Sequence, residues 1–97
     1  MWQVRVHALV LKEDFKSIPP FDQERILRVI QKKLSIEPKS YGKPLAGDYA
    51  GYWRLRIEDY RVVYKIIEKE ILVLVIKVGI RKDDQVYKEL WMRLKKL

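Results

Sequence analysis

The sequence has no cysteine, and that absence removes disulfide support, thiolate catalysis and cysteine-based zinc sites together. Histidine occurs once, as His7, with no second ligand or base near it in sequence, so a histidine-rich metal site is excluded. Any Ser–His triad would have to be built on His7 alone. Long apolar runs are also missing: the longest, Ile71 to Ile76, is far too short to span a bilayer. Arg5 and His7 interrupt the start of the chain before the apolar stretch of a signal peptide can develop. These absences lead us to expect a cytoplasmic protein with no membrane partner. Gly42, Gly47 and Gly51 match no phosphate-loop spacing, and no metal or cofactor is expected.

What the chain does have is positive charge. It is 97 residues long and 48% hydrophobic, which predicts one globular domain over 1–97. Lysine and arginine number 21 against 13 acidic residues, a formal net charge of +8. That balance attracts nucleic acid, an anionic membrane or an acidic protein, and does not choose among them.

Val4, Val6 and Ala8 alternate with Gln3, Arg5 and His7, as in a half-buried strand. Leu11, Phe15 and Ile18 share one face of a short helix, which Pro19-Pro20 ends. A second helix begins near Pro20, carries the stripe Ile26, Leu27, Ile30 and Leu34, and stops at Pro38. Lys39 to Gly51 is turn-rich and reads as a long loop. Three strands follow: Tyr52–Ile57, Tyr60–Ile67 after a tight reversal at Glu58-Asp59, and Ile71–Val78. The near-continuous apolar run of the third predicts a strand covered on both faces. A last amphipathic helix, about 83–96, carries Val86, Leu90, Leu94 and Leu97. The expected class is α+β, in the order β-α-α-β-β-β-α. An N-terminal strand and a helical hairpin pack on a small, twisted, mainly antiparallel sheet.

Arg54 and Arg56, two apart on a strand, leave the sheet on one side, opposite Trp53, Leu55 and Ile57. Arg61 starts the next strand close by, and Arg81 follows Gly79, where the chain can turn sharply. Four guanidiniums on one open face would match phosphate oxygens at any physiological pH. Tyr87 beside them would stack on a base or anchor the last helix to the sheet. Asp83-Asp84 is read as helix capping rather than a metal pair. Tyr60 and Tyr64 are read as structural and Trp53 as core.

At Tyr60-Arg61-Val62-Val63-Tyr64 and Val78-Gly79-Ile80-Arg81-Lys82…Val86-Tyr87 the chain resembles the RelE/ParE toxin superfamily, and its RelE branch in particular. The likeness also takes in the helical hairpin and the Lys43-Pro44-Leu45-x-Gly47 stretch. It implies the toxin of a toxin–antitoxin module, an endoribonuclease that cuts mRNA in the ribosomal 30S A site and so blocks translation. By the same resemblance Arg61 and Arg81 hold the phosphate and its transition state, and Tyr87 stacks on the scissile nucleotide. Arg54 and Arg56 stand where the family carries two basic residues, commonly lysines, one of them assigned as the base. Arg56 is then a fourth catalytic group, acting by charge, because arginine does not accept a proton. Arg54, Lys77 and Lys82 are assigned to RNA binding. The implied partners are a RelB-like antitoxin that displaces or occludes the last helix, the ribosome, mRNA, and operator DNA through the antitoxin complex only. Two other outcomes fit the resemblance: a ParE-like gyrase inhibitor without nuclease activity, and an inactive module acting only with its antitoxin.

Overall fold

Alternating and continuous apolar runs become five strands of one mixed sheet, ordered β1-β5-β4-β3-β2, in a computed structural model that describes residues 1–80 and 82–97. The strands are β1 (Gln3–Val6), β2 (Lys43–Pro44), β3 (Tyr52–Ile57), β4 (Tyr60–Ile67) and β5 (Leu72–Gly79). The helices are α1 (Ala8–Lys12), α2 (Pro20–Leu34), α3 (Pro38–Tyr41) and α4 (Asp83–Leu94). Only β1 and β5 run parallel; the other pairs are antiparallel. The α+β class and the order of the main elements are those expected. Among the described residues no helix is long and apolar enough to cross a membrane.

The hairpin differs in detail from the sequence reading. The first helix ends at Lys12, and Asp14–Ser17 continue as a 3-10 turn. The tighter winding brings Phe15 and Ile18, three residues apart, into the core and carries Asp14 inward, while Leu11 stays exposed. Gln23 closes the Pro19-Pro20 corner by donating from Nε2 to the carbonyls of Phe15 and Ile18, at 2.8 and 2.7 Å. His7 caps α1, its Nδ1 accepting from the Leu9 N–H at 3.0 Å. Further along, α2 ends at Leu34 before Pro38 is reached. Pro38 instead opens α3, where a missing N–H costs nothing. The long loop is therefore partly ordered, holding α3, β2 and a 3-10 turn at Gly47–Tyr49.

The sheet is covered on both faces. Under the hairpin, Val10, Ile26, Ile30 and Leu34 meet Leu55, Val62, Tyr64, Val73 and Val75. On the other face Val86 and Leu90 of α4 pack on Val63 and Ile76, flanked by Tyr49, Tyr52 and Tyr87. A bulge in the β4–β5 ladder lies between Val63 and Tyr64. It breaks the two-residue alternation of β5, so that Val75 and Val78, three apart, both face the hairpin. Gly79 lets α4 approach: a Cβ there would come within 2.5 Å of Cγ2 of Val86. The face expected to be open is thus half roofed, and α4 begins at the margin of the roof.

Candidate functional site

Arg54 and Arg56 project from β3, and Arg61 lies directly across the ladder from Arg56 on β4. Cross-strand partners share a face, so all three guanidiniums rise on the α4 side. Two residues, Glu58 and Asp59, suffice for the intervening turn because Glu58 takes a left-handed φ of 52°. Such a conformation costs a non-glycine residue roughly 1–2 kcal/mol. Nη1 of Arg61 donates back into the hairpin end, to the carbonyls of Glu58 and Tyr60 at 3.0 and 3.2 Å.

At the centre of the cluster stands Asp83, the first residue of α4. Nε of Arg61 donates to Oδ1 at 2.6 Å, and Nη2 of Arg56 donates to Oδ2 at 3.3 Å. Nη1 of Arg54 also donates to Oδ2. The capping role read from the sequence does not describe this residue. The N-cap of α4 is Lys82, no side chain bonds the cap, and Asp83 turns to the sheet instead. Partial burial opposes its charge, but hydrogen bonds from Arg61 and Arg56 and the charge of Arg54 outweigh it. The carboxyl is held below the ordinary aspartate range.

Exposure grades across the cluster. The Arg54 and Arg61 side chains are 11% and 17% exposed, whereas Arg56 is 57% exposed and Asp83 28%. Arg54 and Arg61 are therefore fixed parts of the site, and Arg56 is its open rim. Among the described residues Nε of Arg54 finds no acceptor.

Tyr87 follows Asp83 by one helical turn and faces the same way. Its ring lies 5.7 Å from that of Tyr49, whose hydroxyl donates to the Tyr87 carbonyl at 3.0 Å. Trp91 meets Tyr49 edge-on at 6.2 Å. Burial first, then the negative charge of Asp83, raises the Tyr87 phenol above its usual range, while Arg54 and Arg56 pull the other way. Tyr87 is consequently a protonated, half-buried ring beside the cations, both helix anchor and available surface.

Of the remaining expected residues, Lys82 is exposed next to Asp83. Arg81 lies outside the described residues. Lys77 does not belong to the open surface: it is 7% exposed, with Nζ 2.9 Å from Asp14 and 3.0 Å from Glu89. The bulge beside it turns its side chain under α4, which the alternation of the sequence could not show. Asp14 also accepts from Arg93 at 2.7 and 2.8 Å and from the Val78 N–H at 2.8 Å. This second ionic cluster holds α4 near its C-terminal end, as Asp83 holds it at the start. Burial works against the Arg93 charge, but Asp14 and Glu13 more than compensate and raise its pKa.

The family described as ParE toxin of type II toxin–antitoxin system, parDE, matches residues 5–85. Toxin RelG of Mycobacterium tuberculosis is 31% identical over 72 residues, covering 74% of this chain and 83% of the relative. The mRNA interferase toxin RelE of Escherichia coli is 42% identical over 41 residues, 42% of this chain and 43% of that protein. Among solved structures, the toxin–antitoxin complex RelBE2 from Mycobacterium tuberculosis contains a chain that superposes with a TM-score of 0.76 at 29% identity. That match covers 82% of this chain and 98% of the other.

Proposed function

This chain belongs to the ParE toxin family of type II toxin–antitoxin systems, and on that premise we propose that it is an endoribonuclease cutting mRNA in the ribosomal A site. The carrying observation is the convergence of Arg54, Arg56 and Arg61 on one anionic centre, with Tyr87 a helical turn away. Three cations against one carboxylate leave an excess of two positive charges. A phosphodiester brings one negative charge, and the pentacoordinate phosphorane made by attack of the 2′-hydroxyl brings about two. Donors fixed before the reaction stabilise the second state more than the first.

In this reading Arg61 holds a non-bridging oxygen, and its bonds to two backbone carbonyls support that role. Arg54 and Arg56 share that work, while exposed Lys82 tracks the flanking phosphates. Tyr87 supplies a ring for the base beside the cut, and Arg81 is assigned with Arg61 to the transition state. Lys77, buried and paired, is left out of the RNA contacts. The likeness to a protein named mRNA interferase supports this reading, and the likeness to a chain of a toxin–antitoxin complex supports a RelB-like antitoxin as partner.

The test is primer extension on mRNA programmed into ribosomes with initiator tRNA. Added protein should give a stop within the A-site codon. Arg61→Ala and Arg81→Ala should each weaken it by about 10²–10³-fold, the usual effect of losing a transition-state donor. An unbroken message, or variants as active as the parent, would refute the proposal. One observation favours a second reading: the matching family is named for ParE. Inhibited gyrase supercoiling with unaffected translation would select that reading instead.

A further inference from the structure

Arginine does not give up its proton near neutral pH, so the three guanidiniums cannot themselves start attack by a 2′-hydroxyl. The structure sets a carboxylate among them. From that geometry, and resting on the nuclease reading above, we infer that Asp83 is the general base of the cleavage reaction. The proton-accepting group thereby stands on α4 rather than on β3.

Three features of the site carry this. First, Asp83 is at the centre of the anion site and remains 28% exposed, within reach of a bound nucleotide. Secondly, Oδ1 is not saturated by the described residues. A carboxylate oxygen accepts at about two positions, and among the described residues Oδ1 receives only Nε of Arg61. The open position on Oδ1 suits a ribose hydroxyl. Thirdly, the phosphate and Oδ2 compete for the same donors. When Arg54 and Arg56 turn to the scissile phosphate, Asp83 loses the contacts that keep its proton affinity low. Substrate arrival therefore strengthens the base, and a free enzyme with a weak base becomes competent only when loaded.

Among the described residues, the charged and titratable groups facing Asp83 are Arg54 and Arg56 from β3, Arg61 from β4, and Tyr87 one turn along its own helix. In the reaction Asp83 takes the 2′-hydroxyl proton and the 2′-oxygen forms a bond to phosphorus. The bond from phosphorus to the 5′-oxygen breaks. The upstream fragment keeps a 2′,3′-cyclic phosphate, and the departing 5′-oxygen takes a proton from water. Asp83 then returns its proton to solvent.

The experiment compares wild type, Asp83→Asn and Asp83→Glu in single-turnover cleavage of ribosome-bound mRNA across pH. A parallel arm measures binding of the same message carrying a 2′-deoxy nucleotide at the cut. The Asn variant should cleave about 10²–10⁴-fold more slowly, the usual contribution of a general base. It should bind the deoxy message as tightly as wild type or more so, and the Glu variant should recover part of the rate. The wild-type rate should rise with pH along an acidic limb that the Asn variant lacks. Cleavage by Asp83→Asn at or above the wild-type rate would overturn the inference, making Asp83 only a competitor of the phosphate. So would joint loss of cleavage and deoxy-message binding, which would make it a group that positions the arginines. An absent acidic limb in the wild type would overturn it without any variant. An inactive wild type would remove the nuclease reading and this inference together, whereas an active wild type with an active Asn variant removes this inference alone.

Discussion

Asp83 illustrates how one side chain can have a spacing that is legible and a role that is not. Its position four residues before Tyr87 places both on one face of α4, and that much follows from the helical period. Its partners come from β3 and β4, more than 20 residues earlier in the chain (separations of 29, 27 and 22), and no local pattern announces them. An acid at a helix start is read as a cap because that is the local explanation. The arginines bind it because an unpaired cation cluster at a half-roofed sheet edge is costly. A consequence follows for acid stability. Because the folded-state pKa of Asp83 is depressed, its contribution is complete above the ordinary aspartate value of about 3.9 and is lost as pH falls below that, through the folded value. Urea unfolding of wild type and Asp83→Asn should show a stability difference at neutral pH that narrows as pH falls below about 4. A difference that widened with acid would contradict the pairing.

At the scale of elements, β3, β4, β5 and α4 were readable from alternation, turns and amphipathic spacing to within a residue or two. Beyond the local ends of the helices, the failures depend on a partner distant in sequence. Two-residue β2 exists only as an addition to the edge of β3. The bulge in the β4–β5 ladder is a mismatch between two strands, absent from either alone. It redirected Lys77 from the expected RNA surface into the interior. The seat of α4 is the most testable element-level feature. Gly79→Ala would drive a methyl group into Val86 and lift the first turn of the helix. We expect a loss of about 1–3 kcal/mol in chemical unfolding, typical of overpacking. Faster hydrogen exchange in α4 should accompany it. Val86→Ala added to the same chain should recover part of that loss, and no recovery would mean that the contact is not the cause.

Across the whole molecule, the two ends of α4 are tied to different parts of the chain. Asp83 faces the strand arginines, and Arg93 reaches Asp14, which also holds Lys77. Asp14→Ala would leave two cations in the interior without their shared counter-ion, and truncating one member of a buried pair typically costs about 3–5 kcal/mol. Equilibrium unfolding should register a loss of that size, and a change under about 1 kcal/mol would show that Glu13 and Glu89 suffice. The general positive charge was plain in composition, as was its suitability for a polyanion. That Lys77 and Arg93 are buried and paired with Asp14, and so hold the fold together, became visible only in three dimensions.

The pairing of Asp14 with Arg93 joins residues 79 positions apart, and β1 finds its neighbour only in β5. Synthesis runs from the N-terminus, so the first contact cannot form before Arg93 has been made, nor the second before β5 has. A chain released short of Arg93 lacks the link between the hairpin and α4, and one released short of Asp83 has strand arginines with no helix beside them. Aborted translation products should therefore be inert. For a protein proposed to destroy messages on the ribosome, this late closure gives the cell that makes it a delay between manufacture and harm.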